Sequence, residues 1–284
     1  MFRNLIAPVA LAALALSPFA ASAGTVTMSV TYYTIAENDR DMVHLAQGIF
    51  NNEVQSSLGP HGLPVLNTAA YGCVSGCFTN LPLPADLTAS GEITWWSPAL
   101  NNGGSGAVSD VVETGTGTIT LPYAHTQFYP PNGSGPNDTS GFQAAVFSTT
   151  LSVPSAGPIT FTIGADDVAF MYLDGTIVCD LGGVHGSTPL TCTSGALSAG
   201  SHTLQLFYSD LNPPNATLNF SITTSGITGT PVPPGTPAPP SILLTLAGLA
   251  GMGLIIGYPG WRTPLRNRRV GSTSGAAHGA LPLK

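Results

Sequence analysis

Lysine is all but missing from this sequence. Of 284 residues Lys284 is the single lysine, Lys and Arg together number 7, and charged residues make up 7%. A chain so poor in basic groups cannot neutralise a run of phosphates, which excludes nucleic acid as a partner. The same scarcity removes the phosphate-binding glycine loop, whose chemistry needs its lysine. No Gly-x-Ser-x-Gly elbow occurs either, so a hydrolase nucleophile of that kind is absent. Nor do the carboxylates announce a pair set apart across a glycosidic bond. The expected protein is therefore not an enzyme.

What charge exists is one-sided. All 14 acidic residues fall between Glu37 and Asp210, where Arg40 alone opposes them, so cations are the natural counterpart. With 34 glycines and 25 prolines beside abundant Ser and Thr, the composition favours an all-β, extracellular design of many short strands. Residues 1–23 read as a secretory signal peptide: Arg3, an apolar run from Leu5 to Leu16, then Ala21-Ser22-Ala23 before Gly24. Pro8 and Pro18 interrupt that run, which is short for a membrane span. Export places the four cysteines in an oxidising compartment. Four cysteines allow three pairings, and proximity favours Cys73 with Cys77 and Cys179 with Cys192. Zinc is the competing use, but neither pair has the further cysteine or histidine partners at metal-ligand spacing.

Strand-like runs are expected at Val26 to Ile35, Gly91 to Trp96, Val108 to Glu113, Gly117 to Leu121, Gln143 to Val153, Ile159 to Ile163, Val168 to Leu173, Thr176 to Asp180, Thr203 to Tyr208 and Thr217 to Thr223. Their number and their Gly, Pro and Asn punctuation point to a β-sandwich over 24–226, with a loop-rich insertion over 59–89. Asp174-Gly175 between two apolar runs predicts a tight hairpin. One short helix is expected near the N-terminus, because Met42, Val43, Leu45, Ala46, Ile49, Phe50 and Val54 recur at helical spacing between Asp39 and Gln55.

Past Ile227 the character changes. A Pro-rich linker is expected over 227–241, then an apolar transmembrane helix from Ile242 to Tyr258, about 25 Å long. Arg262, Arg266, Arg268 and Arg269 follow in a tail over 259–284, which places that end on the cytoplasmic side. The order Pro237-Ala238-Pro239-Pro240-Ser241, apolar helix and arginine cluster resembles PEP-CTERM sorting signals of bacterial exported proteins. That resemblance implies a sorting protease as partner. Two departures, Ala238 in place of the usual glutamate and the continuation from Val270 to Lys284, leave a permanent membrane anchor as the alternative.

The most telling stretch runs from Ile163 to Gly186. It holds Asp166-Asp167 just after a strand, Leu173-Asp174-Gly175-Thr176, and Asp180-Leu-Gly-Gly-Val-His185-Gly. With Leu151 to Gly157 before it and Leu197 to Leu204 after it, residues 143–223 resemble the fibro-slime and protective-antigen-type β-sandwich domains of adhesins and carbohydrate-active proteins. In calcium-dependent sugar-binding members the paired aspartates bind Ca2+, often across a cis peptide. The resemblance therefore implies Asp166 and Asp167 as metal ligands, with Asp210 first and Asn212 second as further donors from the loop Tyr208 to Asn212. Calcium needs six to eight oxygens, so the pair begins a site without completing it. The alternative is structural: an Asp-Asp at a strand end can accept backbone N–H groups and shape the turn.

Around that seat, His185 and Asp180 are candidate ligand-binding residues on a loop that the Cys179–Cys192 bridge would close, and Trp95 is a candidate sugar platform. If residues 91–96 are a strand, one of Trp95 and Trp96 faces the core and the other solvent. The expected function is a non-catalytic exported protein of the cell surface or extracellular matrix, held at the membrane by its C-terminal helix. It binds extracellular polysaccharide, with calcium as the implied cofactor. A structural matrix protein without a small ligand is the alternative.

Overall fold

The protein is seen in a computed structural model that describes residues 24–39, 41–42, 48–68, 72–75, 86–102, 109–125, 141–212 and 215–233. The expected signal segment, the apolar span Ile242 to Tyr258 and the arginine tail lie outside the described residues. No helix among the described residues is long and apolar enough to cross a membrane.

Among the described residues thirteen strands follow one another: β1 (Thr27–Ile35), β2 (Ile49–Asn51), β3 (Gly72–Ser75), β4 (Val111–Thr120), β5 (Tyr123–His125), β6 (Phe142–Val153), β7 (Thr160–Asp166), β8 (Val168–Leu173), β9 (Thr176–Leu181), β10 (Thr188–Thr193), β11 (Gly200–Ser209), β12 (Thr217–Ile222) and β13 (Thr228–Pro231). The larger sheet has the order β4-β1-β6-β11-β8-β9, with β13 also paired to β6. The smaller has the order β10-β7-β12-β5, and β2 and β3 form a two-stranded sheet. The result is an all-β sandwich.

Strand β8, Val-Ala-Phe-Met-Tyr-Leu, is buried along its whole length. Side chains of a strand alternate between faces, so an unbroken apolar run means that both faces are covered. Ala169, Met171 and Leu173 join the core between the two sheets, with Phe147 and Leu151 of β6 and Ile163 of β7. Val168, Phe170 and Tyr172 point the other way, into a second core with Trp95, Trp96, Ile93, Leu63 and Leu66. Described residues between β2 and β4, Leu63, Leu66, Ile93, Trp95 and Trp96 among them, thus roof the outer face of the large sheet. The hairpin from β8 to β9 turns through Asp174 (φ 51°) and Gly175 (φ 73°), the two positive φ values that the Asp-Gly pair supplies.

Several expectations are corrected. The helix over Asp39 to Gln55 is absent from its described part: Ile49 to Asn51 is strand β2, and Val54 bridges to Leu66. Residues 40 and 43–47 lie outside the described residues. The helical spacing of Phe50 and Val54 has another origin, because both are buried from extended chain. Gly91 to Trp96 is not a strand; bridges at Glu92 and Ile93 give way to turns. The two runs expected at Val108 to Glu113 and Gly117 to Leu121 are one strand, β4, whose pairing with β1 shifts register between Tyr32 and Tyr33. The stretch read as linker begins as strand: Ile227 is buried and Thr228 to Pro231 pairs with β6.

Candidate metal centre at the strand ends

Asp166 ends β7, Asp167 opens the link to β8, and Asp210 follows β11. Antiparallel pairing of β11 with β8 sets Ser209 opposite Val168. One carboxylate oxygen from each of Asp166, Asp167 and Asp210 lies within 4.8 Å of the others. The peptide bond between Asp166 and Asp167 is cis. Behind the pair, the Tyr208 hydroxyl donates to the Asp166 carbonyl at 2.8 Å.

Asp167 is fully buried, and both its oxygens are engaged. Oδ1 accepts the backbone N–H of His185 at 2.7 Å and Oδ2 accepts that of Leu211 at 2.8 Å. One side chain therefore ties the loop after β9 to the loop after β11. Burial first, then the adjacent Asp166 carboxylate, push the Asp167 carboxyl well above its ordinary pKa, against the lowering effect of those amides. Such a group gains from a nearby cation. Asn212 lies beside the cluster, its N–H donating to Asp210 Oδ1 at 3.4 Å. Its own amide oxygen, Oδ1, is buried without a hydrogen-bond partner. Carboxylates and an amide oxygen are the donor types a hard cation takes.

The neighbouring loop is held from three sides. The Cys179–Cys192 disulfide, with Cα atoms 5.6 Å apart, closes the segment that contains His185. Phe50 and Gly182 exchange backbone hydrogen bonds at 2.9 and 3.1 Å, and Gly48 N–H reaches the Val184 carbonyl at 3.0 Å. The Gly183 N–H donates to Glu53 Oε2 at 2.6 Å. Gly183 has φ 87°, and a Cβ there would run into Gly48 and the Phe50 ring. A side chain is incompatible with that close approach.

The other candidate residues take different places. His185 is buried, with Nδ1 at 2.9 Å from the Gly186 carbonyl and Nε2 lacking a partner. Burial holds its imidazole below the usual pKa, and thus neutral at neutral pH. Asp180 is not part of the acidic cluster: its Oδ2 accepts the Val54 N–H at 3.1 Å, bracing the roof segment. Trp95 cannot serve as a sugar platform, because it is 1% exposed and its Nε1 donates to Asp41 Oδ2 at 3.0 Å. Trp96 is 3% exposed, its Nε1 donating to the Tyr208 carbonyl at 2.7 Å. Both rings point inward because the chain turns there. Of the pair Cys73 and Cys77, the second lies outside the described residues, as does the side chain of the first.

Sequence reasoning missed Glu53. It is buried, and its pKa is pushed up to about 8 by burial and then by the Asp180 carboxylate. Its signal was a carboxylate between the apolar residues Phe50 and Val54, legible only once the roof is seen.

No curated protein matches the chain. Among solved structures, the PA14 domain of the MpAFP antifreeze protein is 17% identical at TM-score 0.27, covering 34% of this chain and 56% of that one. The PA14 sugar-binding domain from an RTX adhesin is 14% identical at TM-score 0.32, covering 72% and 95%. The epithelial adhesin 9 A domain from Candida glabrata, in complex with Galb1-4GlcNAc, is 12% identical at TM-score 0.33, covering 75% and 88%. The chain thus spans little more than half the length of the first of these. Residues 131–235, which carry the acidic pair, the disulfide loop and Asp210, match the family model of the PA14 domain.

Proposed function

We propose that this chain is a non-catalytic carbohydrate-binding protein whose Asp166, Asp167 and Asp210 hold a Ca2+ ion that receives sugar hydroxyls. The observation that carries the reading is the meeting of three carboxylates within 4.8 Å at the loop end of the sandwich. Asn212 adds an amide oxygen that has no other partner. Bound there, calcium supplies a hard Lewis-acidic centre with positions left for oxygen ligands from outside. The protein's own contribution is positioning: Asp167 fixes two loops through their amides, and the disulfide and Glu53 keep the loop after β9 in place.

The match of residues 131–235 to the PA14 domain supports a carbohydrate ligand. Against catalysis stands the crowding of the carboxylates into one buried cluster. A glycosidase holds its pair on opposite sides of the scissile bond. The leader-like residues 1–23 and the apolar span with its arginines support export, membrane attachment and sorting by a protease, with extracellular polysaccharide as the ligand source.

A structural role without ligand has one observation in its favour, the double use of Asp167 by backbone amides. Calorimetric titration of the chelator-stripped chain with Ca2+, followed by a glycan array with and without chelator, decides between them. Heat of binding and chelator-sensitive glycan retention are expected. No heat and no chelator effect favour the structural role.

A further inference from the structure

The roof meets the edge of the large sheet along a seam. Residues Gly48 to Leu58, which enter the roof through β2, run antiparallel to the chain from Gly175 to Val184, which contains β9. Main-chain bonds close the seam at both ends. At one end Gly48 donates to Val184 and Phe50 pairs with Gly182; at the other Ile177 donates to the Ser56 carbonyl at 2.9 Å and Leu58 to that of Gly175 at 3.3 Å. In the middle, carboxyl groups act as the acceptors. Glu53 of the roof takes the Gly183 N–H at 2.6 Å, and Asp180 of β9 takes the Val54 N–H at 3.1 Å. Each side chain reaches across to the main chain of the other's segment.

This exchange brings two acids together inside the protein. Glu53 is 3% exposed and lies so close over Gly182 that a Cβ there would overlap its carboxyl. Asp180 Oδ1 is buried without a hydrogen-bond partner. The Glu53 and Val54 amides face Asp180, and the Gly183 amide faces Glu53. From β8 comes Tyr172, whose hydroxyl donates to the Gln55 carbonyl at 3.3 Å and whose proton is held by burial and then by the Asp180 carboxylate. Burial penalises each carboxylate, and two of them repel strongly where water screens poorly. The seam therefore tolerates one charge better than two. With Glu53 raised to about 8 and Asp180 to about 6, Asp180 is ionised and Glu53 protonated at neutral pH.

We propose that Glu53 and Asp180 form a proton-operated latch, which holds the roof on the loop after β9 while Glu53 is protonated and opens the middle of the seam when that proton is lost. The proton leaves Glu53 for solvent, and the second charge drives the two segments apart. The loop so released carries His185, whose N–H is held by Asp167. An alkaline shift thus loosens one wall of the acidic cluster. The latch does not require that the cluster bind metal.

NMR of the chelator-stripped full chain in detergent reads both halves of the proposal. Carbon-13 titration of the side-chain carboxyls follows the proton, and amide exchange, corrected for its intrinsic dependence on pH, follows the seam. Protection at Gly183 and Val54 is expected to fall about tenfold between pH 7 and 9, in step with the Glu53 carboxyl, while Leu206 in β11 keeps its protection. Glu53→Gln and Asp180→Asn each retain an acceptor but leave a single ionisable group in the seam, and either should abolish the fall. Asp180→Asn should also move the Glu53 transition to lower pH. A Glu53 carboxyl that titrates in the ordinary carboxylate range overturns the latch, as does protection at Gly183 and Val54 that holds from pH 7 to 9 in wild type or falls equally in both variants.

Discussion

The carboxylate of Asp167 receives the backbone N–H of His185 at 2.7 Å, across 18 residues of sequence, and its other oxygen receives that of Leu211. The two loops that flank the acidic cluster are therefore joined by one side chain before any ion is considered. Asp167→Asn keeps the size but turns one acceptor into a donor facing a backbone N–H. A buried clash of donors costs about 2 to 3 kcal/mol, or roughly 5 to 10 °C in melting temperature for a domain of this size. Thermal unfolding in chelator measures it, and an unchanged midpoint would contradict the clamp.

Calcium should act on top of that clamp. Saturating Ca2+ at about 100 times its Kd is expected to raise stability by about 2.7 kcal/mol per site. Asp210→Asn, which keeps the backbone but removes a charge from the cluster, should shrink the response. Melting curves across a Ca2+ series test this, and an equal response in wild type and variant would count against Asp210 as a ligand.

Acidity has a defined sign here. Glu53 is raised from 4.5 to about 8, so the folded chain holds that proton more tightly than the unfolded chain. Its contribution is complete below pH 4.5 and is lost as pH rises to about 8. The slope inside that window is about 1.4 kcal/mol per pH unit. Asp180, raised from 3.8 to about 6 by burial, adds a loss of the same sign over that lower range. Glu53→Gln retains an acceptor for the Gly183 N–H and should flatten the loss between pH 6 and 8. Denaturant unfolding at stepped pH, with metal removed, gives the slope; a Glu53→Gln curve parallel to wild type would refute this.

The disulfide is a separable support. Cys179→Ala with Cys192→Ala opens a loop of 13 residues separation, a loss of about 3 kcal/mol by loop-closure entropy. The variant should still unfold cooperatively but bind Ca2+ more weakly, because His185 lies inside the loop. Calorimetry on reduced and oxidised protein tests it, and equal affinity would place the loop outside the site.

Gly183→Ala asks whether the roof and the site are fitted together. At φ 87°, with Gly48 and the Phe50 ring in the way, alanine should cost more than about 1 kcal/mol. Hydrogen exchange would show the damage at Gly48 to Glu53 as well as at the loop itself.

The β8 to β9 hairpin was legible because Asp174-Gly175 encodes its turn locally. The strands of the smaller sheet were partly legible: Ile159 to Ile163 and Thr217 to Thr223 alternate, whereas Thr188 to Thr193 hides a proline at 189. The convergence of Asp166, Asp167 and Asp210 came from resemblance, since nothing in spacing brings residue 210 beside 166. The roof was legible only as a loop-rich insertion over 59–89, not as a cover on the sheet. Its apolar residues reach the sheet from turns and single bridges, which carry no period, and so Met42, Phe50 and Val54 imitated a helix. Trp95 and Trp96 misled for the same reason, since an alternation rule presumes a strand.

The partnership of β13 with β6 has a geometric consequence. Val26 bridges Gly229, and β13 lies against Thr149 to Ser152, whereas Ser209, the residue before Asp210, pairs with Ala144. Five residues of strand, roughly 17 Å, separate the two levels. The first and last strands thus meet each other on the half of the sheet remote from the carboxylates. β13 itself runs from the level of Ser152 to that of Thr149, so a chain continuing out of it points back towards the level of the carboxylates, whereas the chain enters β1 from the opposite end of the sheet.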